Sequence, residues 1–558
     1  MNSNITEQGR AVLQVEDLHV RFLSQNENFH AVSGVSFTLH AGEIIALVGE
    51  SGSGKSVTAR TLVGLTGDNA EVSAKRLALL HTDPQGASHE IDLRHQSQSN
   101  WRKIRGREIG FVLQDALTSL DPLRKIGQEI AEPLLAHRLA SRSEIPQKVN
   151  ALLEMVGIPD PLNRSQMYPH ELSGGLRQRA LIASALAGQP RVLIADEPTT
   201  ALDATIQKQI LEEFKSLAQL GIGILLITHD LSVVADIADR VIVMQHGRPR
   251  ESGDVHQVLK SPQDPYTIKL LSSVPTRHSR GTWLTGRDPL ANWSEPASSS
   301  SVGAEPDTVL SVEQVSRAFR LPNGQKLQAV DNISLTLKRG ETLGIVGESG
   351  SGKTTLGKLI LALQTPNNGR IELLNQPWST LKERQRRALR PRIQTIVQDP
   401  LSSFDPQHTV EQVLLQPLEL HSTLTAVQKQ QRINELLSLV SLDSQLLKRR
   451  PASLSGGQRQ RISIAQALAC EPDILVCDEP VSALDVTTQA QVLDLLSSLQ
   501  QKLGLAMVFI SHDLGVVQHI SHRIVILKSG KIVEMGSVDA IFTQPKHPYT
   551  QLLLSSVY

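Results

Sequence analysis

Residues 12–22 (VLQVEDLHVRF) and 31–43 (AVSGVSFTLHAGE) place apolar side chains at nearly every second position, the period of a strand with one face buried. Residues 309–319 (VLSVEQVSRAF) and 329–341 (AVDNISLTLKRGE) repeat that pattern about three hundred positions later. A continuous apolar run follows each pair, IIALVG at 44–49 and TLGIVG at 342–347. Two more runs close each half: VLIAD (192–196) and GILLITH (223–229), then DILVCD (473–478) and AMVFISH (506–512). Short uninterrupted runs bounded by helical stretches predict strands buried on both faces of a parallel sheet. Residues 124–163 and 412–447 are helix-patterned. The chain therefore reads as a duplicated α/β domain, each copy with an antiparallel edge and an inserted helical subdomain; a repeat of this length is too long for a solenoid unit.

Composition agrees with two cores. At 558 residues the chain exceeds the size at which one core keeps growing, and 40% apolar with 20% charged residues describes an ordinary globular protein. Fifty-six basic residues balance fifty-six acidic ones, so no overall field draws the chain to nucleic acid or anionic lipid. The densest basic run, RQRRALRPR at 384–392, is expected to be a solvated helix face. Cys470 and Cys477 are too few for a four-cysteine metal site and read as small buried residues of a protein from a reducing compartment. The start, MNSNITEQGR, lacks the pattern of a secretory signal, and no run of eighteen apolar residues occurs. In a transport function, the pore would belong to another subunit.

Residues 276–308 contain a serine run (298–301) and three prolines, a composition that predicts a flexible or extended tether. The expected domains are 1–275 and 309–558, joined by 276–308. Trp283 and Trp293 in this stretch are read as incidental contacts.

The candidate chemistry is also duplicated. GESGSGKS (Gly49, Glu50, Ser51, Gly52, Ser53, Gly54, Lys55, Ser56) returns as GESGSGKT (Gly347, Glu348, Ser349, Gly350, Ser351, Gly352, Lys353, Thr354). The glycines let backbone N–H groups wrap a phosphate where a Cβ would obstruct. The lysines supply charge to the β and γ phosphates, the Ser56 and Thr354 hydroxyls suit Mg²⁺, and the following helix, beginning with Val57 and Thr355, points its dipole at the anion. Asp196 and Asp478 end apolar runs, at the carboxyl ends of buried strands where ligands bind in open sheets. They are candidate Mg²⁺ holders, and the adjacent Glu197 and Glu479 are placed to polarise an attacking water. A second acidic loop follows at Asp203 and Asp485.

With LSGGLRQR (172–179) and LSGGQRQR (454–461), the chain resembles the ATP-binding subunits of ABC transporters over nearly its whole length. The resemblance implies two tandem P-loop NTPase domains, each a RecA-like mixed sheet with the antiparallel edge and helical insert. It makes Ser173, Gly174, Gly175 and Ser455, Gly456, Gly457 signature residues that contact the γ-phosphate held by the opposite domain, a role suited to a helix start. By the same resemblance Gln114 and Gln398 link Mg²⁺ and water to the membrane-facing helices, and His229 and His512 contact the γ-phosphate. Phe22 and Phe319 stack on adenine, with Phe29 competing with Phe22. The intervals from Lys55 to Gln114 and from Lys353 to Gln398 differ, which predicts a surface insertion between Gly67 and Arg102; the later intervals nearly coincide. Both sites are expected to be competent, with ATP and Mg²⁺ as cofactors.

The segments SPQDPYTIKLLSSVP (261–275) and TQPKHPYTQLLLSSVY (543–558) are similar to the tails of oligopeptide, dipeptide and nickel importer ATPases. GESGSGK, SLDP and SFDP fit the same branch. The fused arrangement resembles ATPases of the YejF type, which serve uptake of peptides and peptide-like antibiotics such as microcin C; the glutathione importer ATPase is a near relative. Expected partners are two membrane permease subunits and a periplasmic or extracellular solute-binding protein, with the chain peripheral on the cytoplasmic face of the bacterial inner membrane and no nucleic acid bound. Departures from the branch are Ala116 where proline is usual, Leu176 after the first LSGG, and RPAS at 450–453 in place of Tyr-Pro-His-Glu. Competing readings are a tandem ATPase acting on ribosomes or DNA, whose charged linker or cysteine modules are missing here, and an importer of sugars, glutathione or nickel chelates.

Overall fold

The computed structural model describes residues 9–555 apart from 24–27, 83–87, 115–118, 200–201, 203, 277–278, 292–306 and 321–325. Ala116, Asp203, Trp293 and the serine run lie outside the described residues. The chain forms two compact units, Met1–Leu202 with Ile206–Leu271, and Asp203–Thr205 with Ser272–Tyr558.

In the first unit β1 (Ala11–Phe22) and β2 (Phe29–His40) pair antiparallel, as their alternation predicts. β4 (Ala70–Ser73), β5 (Arg76–Thr82) and β6 (Ser88–Asp92) complete that sheet, in the order β2-β1-β5-β6 with β4 also on β1. The second sheet is the core. β3 (Ile44–Val48) lies between β10 (Arg240–Gln245) and β9 (Gly223–Ile227), followed by β8 (Val192–Asp196) and β7 (Ile109–Val112), all parallel. β11 (Arg248–Asp254) closes the other edge antiparallel to β10. Every residue of β3, β8 and β9 is buried, because the antiparallel sheet and helix Lys55–Leu62 cover one face and helices the other, so no polar face is needed.

The second unit repeats this plan. β12 (Thr308–Arg320), β13 (Lys326–Lys338), β15 (Asn368–Leu373) and β16 (Gln376–Pro377) form the antiparallel sheet. The core sheet runs β17 (Ile393–Ile396), β18 (Ile474–Asp478), β19 (Ala506–Ile510), β14 (Thr342–Val346), β20 (Arg523–Lys528) and β21 (Lys531–Ser537). The helical inserts are Ile126–Ala136 and Ile145–Met155 in the first unit, and Val410–His421 and Ala426–Leu439 in the second. The longer first interval is taken up by β4, by a β5–β6 hairpin longer than its counterpart β15–β16, and by helix Gln98–Ile104, longer than Glu383–Arg386.

Two expectations are corrected. The basic run 384–392 is not simply a solvated face. Arg386 is buried and donates to the carbonyls of Trp378, Ser379 and Ala362, and Arg390 donates to that of Leu361, so the pair caps the end of the phosphate-loop helix Lys353–Ile360. Nor do residues 279–291 behave as a free tether. Leu284 and Leu290 enter the second unit's core, and the fully buried carboxylate of Asp494 accepts from the N–H groups of Leu284 (3.0 Å) and Thr285 (2.8 Å). Lys502 pairs with Asp288 at 3.1 Å. Composition missed this because two apolar residues and one buried acid decide it, and a low-complexity average hides them.

Candidate active site

Each phosphate loop is the turn between a fully buried strand and a short helix, β3 to Lys55–Leu62 and β14 to Lys353–Ile360. The glycines are required by close approach. A Cβ on Gly49 would lie 2.2 Å from the Met244 carbonyl oxygen, and one on Gly347 would lie 2.3 Å from that of Leu527. Gly54 and Gly352 have φ of 98° and 104°, and a Cβ there would strike the carbonyls of Ala31 and Ala329. Both lysines are buried and bind their own loop. Lys55 Nζ donates to the carbonyls of Gly49 and Glu50 at 2.8 Å each, and Lys353 Nζ to those of Gly347 (2.6 Å) and Glu348 (2.8 Å).

The strands two places away in each core sheet, β8 and β18, deliver the acids. Ser56 Oγ donates to Asp196 Oδ1 at 3.0 Å, and Thr354 Oγ1 to Asp478 Oδ1 at 3.5 Å. Burial pushes the Asp196 carboxyl above its usual range; the Ser56 bond offsets part of this and the charge of Glu197 adds to it. Asp478 is raised by burial and by Glu479. Glu197 and Glu479 adopt left-handed φ of 50° and 49°, and their N–H groups reach across to the carbonyls of Ile227 (2.8 Å) and Ile510 (2.9 Å). A non-glycine residue held there is strained, and the sheet bond fixes it.

That turn sets each glutamate between two partners. Gln114 Nε2 donates to Glu197 Oε2 at 2.9 Å and His229 Nδ1 lies 3.3 Å from Oε1; Gln398 and His512 hold Glu479 at 3.1 and 3.4 Å. Burial alone would lower both histidines, but the bond to and charge of the adjacent glutamate outweigh it and raise them. Glu479 would likewise be raised by burial, and His512 instead holds it below the usual range. The result is a fixed carboxylate beside a phosphate loop, an arrangement that can orient a water.

The structure thus joins loop hydroxyl to aspartate, and glutamine and histidine to glutamate, in both units. The signature serines are not in these networks. Ser173 and Ser455 are exposed amino-terminal caps of helices Gly174–Leu186 and Gly456–Leu468, accepting from Leu176 N–H (3.4 Å) and Gln458 N–H (3.3 Å). Phe22 is half-buried against the core, whereas its cross-strand partner Phe29 is 63% exposed. Phe319 lies under the Arg317 guanidinium, 5.2 Å from the ring centre. Asp485 caps helix Val486–Leu503. Sequence reasoning missed three contacts: Ser482 beside Gln398 (3.4 Å), and the tail tyrosines Tyr266 and Tyr549, whose oxygens accept from the N–H groups of Glu50 (3.2 Å) and Glu348 (3.3 Å). The Pro-Tyr-Thr repeat was visible, but only the fold brings it to the loops.

The family description "ABC transporter" matches residues 32–200 and 330–482, more than half of the chain. The chain belongs to the ABC transporter family. It is an ATPase and the ATP-binding subunit of an ABC transporter, with a cassette in each unit. A second description, "Oligopeptide/dipeptide transporter, C-terminal region", matches residues 251–292 and 533–558 of this ABC protein. The chain is 44% identical over 563 residues to the glutathione import ATP-binding protein GsiA of Salmonella choleraesuis, covering 98% of the chain and 90% of that protein. The GsiA protein of Escherichia coli O6:H1 is 43% identical over 562 residues, with 98% and 89% covered. Among the described residues no helix is long and apolar enough to cross a membrane.

Proposed function

We propose that this ABC ATPase energises the import of peptides or peptide-like compounds, glutathione included, by hydrolysing ATP at both phosphate loops. The observation that carries the reading is the pair of oligopeptide/dipeptide transporter tails, one closing each cassette, in a chain 44% identical to a glutathione import protein. Two permease subunits in the inner membrane would couple hydrolysis to transport, and a solute-binding protein would deliver the cargo.

At each site the lysine would exchange loop carbonyls for the β and γ phosphates, while loop N–H groups hold the remaining oxygens. Ser56 with Asp196, and Thr354 with Asp478, fit Mg²⁺. Each pairs a hydroxyl with a carboxylate whose ionised form is disfavoured by burial and by an adjacent glutamate, and a dication would offset both effects. Bound Mg²⁺ supplies charge neutralisation at the phosphates. Glu197 and Glu479 orient and polarise the attacking water. Gln114, His229 and their counterparts keep those carboxylates aimed, and the histidines reach the γ-phosphate. Each site would be completed by the exposed signature serine of the opposite cassette, with Phe22 and Phe319 against adenine.

The test is uptake of labelled glutathione and of a dipeptide by cells expressing the chain with its permeases. The reading expects uptake that a Glu197→Gln, Glu479→Gln double variant abolishes, and permeases that co-purify with the chain. Recovery on ribosomes or nucleic acid, with uptake unaffected by the double variant, would overturn it.

A further inference from the structure

The tail helices Pro265–Ser272 and Pro548–Ser555 have a fixed relation to the phosphate loops that their peptide-transporter label does not explain. In each unit a glutamate of the antiparallel edge strand caps the start of the helix. Glu251 of β11 accepts from the N–H groups of Gln263 (2.8 Å) and Asp264 (3.2 Å); Glu534 of β21 accepts from those of Lys546 (2.9 Å) and His547 (3.0 Å). Both carboxyls are lowered: burial opposes ionisation and the bonds donated to them prevail. Held there, the helix buries its tyrosine, 6% exposed at Tyr266 and 3% at Tyr549, and directs the phenol oxygen at the loop.

One peptide plane receives both contacts. The carbonyl of Gly49 accepts from Lys55 Nζ at 2.8 Å, and the N–H at the other end of the same peptide, that of Glu50, donates to Tyr266 Oη at 3.2 Å. The peptide between Gly347 and Glu348 is held in the same way by Lys353 (2.6 Å) and Tyr549 (3.3 Å). When phosphate draws the lysine away, the tyrosine still anchors that plane.

We infer that Tyr266 and Tyr549 are positioning residues of the two ATP sites: their hydroxyls hold the first peptide of each phosphate loop in its binding conformation, so the tails set nucleotide affinity as well as closing the cassettes. The inference rests on the loops being the ATP sites. Phenylalanine keeps the ring and its packing but leaves a loop N–H without its acceptor, so ordering of the loop is shifted onto the binding step.

The experiment measures Mg²⁺-dependent binding of a fluorescent ATP analogue to the full chain carrying Lys353→Ala, which restricts binding to the first loop. Tyr266→Phe should weaken binding roughly three- to tenfold, the range expected for one hydrogen bond. Its thermal unfolding should stay cooperative and shift down only slightly, while hydrogen exchange should quicken in the peptide covering 49–55. A tyrosine serving only as packing would leave loop exchange and affinity at parental values, and that result overturns the inference. Should Tyr266→Phe not fold, Glu251→Gln, which weakens the cap that seats the tail, should give the same loss of affinity and faster loop exchange. Parental values there count equally against it. Lys55→Ala in the same background separates the two readings: if it does not abolish binding, the loop is not the ATP site, whereas abolition with an unaffected tyrosine variant defeats the positioning role alone.

Discussion

The first and second cassettes agree where they face phosphate and diverge where they support it. Gln114 and Gln398 lie 2.9 and 3.1 Å from their glutamates, His229 and His512 3.3 and 3.4 Å. Yet the carboxyl end of the phosphate-loop helix is plugged by Trp101 and Arg105 in one unit, and by Trp378, Arg386 and Arg390 in the other. Trp101 comes from the helix after the β5–β6 hairpin, whereas Trp378 directly follows β16. Before the signature, Glu171 accepts from Tyr168 N–H in the first cassette, whereas Ser453 donates to the Arg450 carbonyl in the second. Both give the same single turn, Pro169–Glu171 and Pro451–Ser453, so the RPAS departure leaves the local backbone unchanged. What is held constant is the position of a few atoms; the scaffolding that achieves it is interchangeable.

The largest test of that symmetry is chemical. Glu197→Gln and Glu479→Gln should each lower ATP turnover by about a hundredfold or more if each removes an essential base from a coupled pair, and steady-state hydrolysis measures this. A large loss from one variant with near-parental turnover from the other would show that matched geometry conceals unequal sites. Next, Trp101→Ala and Trp378→Ala should each destabilise their own unit by roughly 3–5 kcal/mol in denaturant unfolding. Equal losses would show that the two plugs do the same mechanical work.

A smaller effect separates the cassettes. Asp494→Ala leaves the N–H groups of Leu284 and Thr285 without their acceptor, so it should cost about 1–3 kcal/mol and open residues 279–291 to limited proteolysis. Glu212, at the equivalent exposed position in the first cassette, should change stability by less than about 0.5 kcal/mol when replaced by alanine.

The ion pair of the second site adds a pH dependence. His512 is raised above its ordinary 6.5, so its contribution is complete below 6.5 and lost as pH rises through the raised value. Glu479 is lowered from 4.5, so its contribution is complete above 4.5 and lost as pH falls through the lowered value. The stability difference between the parent and His512→Gln should therefore peak between pH 4.5 and 6.5 in thermal melts and shrink above that window. Smallest is the signature cap. Gln458 completes a reciprocal capping box with Ser455 that Leu176 cannot form, so Leu176→Gln should raise stability by a few tenths of a kcal/mol up to about 1, read by the same melts.

Much of this was legible in the sequence because periodicity and glycine spacing are local. The buried strands, both loops and the acids after VLIAD and DILVCD follow from short runs, and the helical inserts from one continuous patterned stretch in each half. What stayed hidden depends on residues far apart in the chain. The tail tyrosines meet loops about two hundred positions away, Asp494 meets Leu284 across the whole second cassette, and two arginines of a run that looks solvated end up on the carbonyls of a helix end. No window along the chain carries such pairings; they appear only once the sheet order brings β3 beside β10 and β14 beside β20.

Lys55 and Lys353 are buried, and each ammonium is held by two carbonyls of its own loop. The desolvation of that ammonium is met during folding, so under the proposed function a triphosphate would exchange one set of oxygens for another around a cation that need not shed its hydration again. Capture and release can then be governed by the modest difference between carbonyl and phosphate as ligands, a setting in which a motor that must let go of its fuel every cycle avoids being trapped by it.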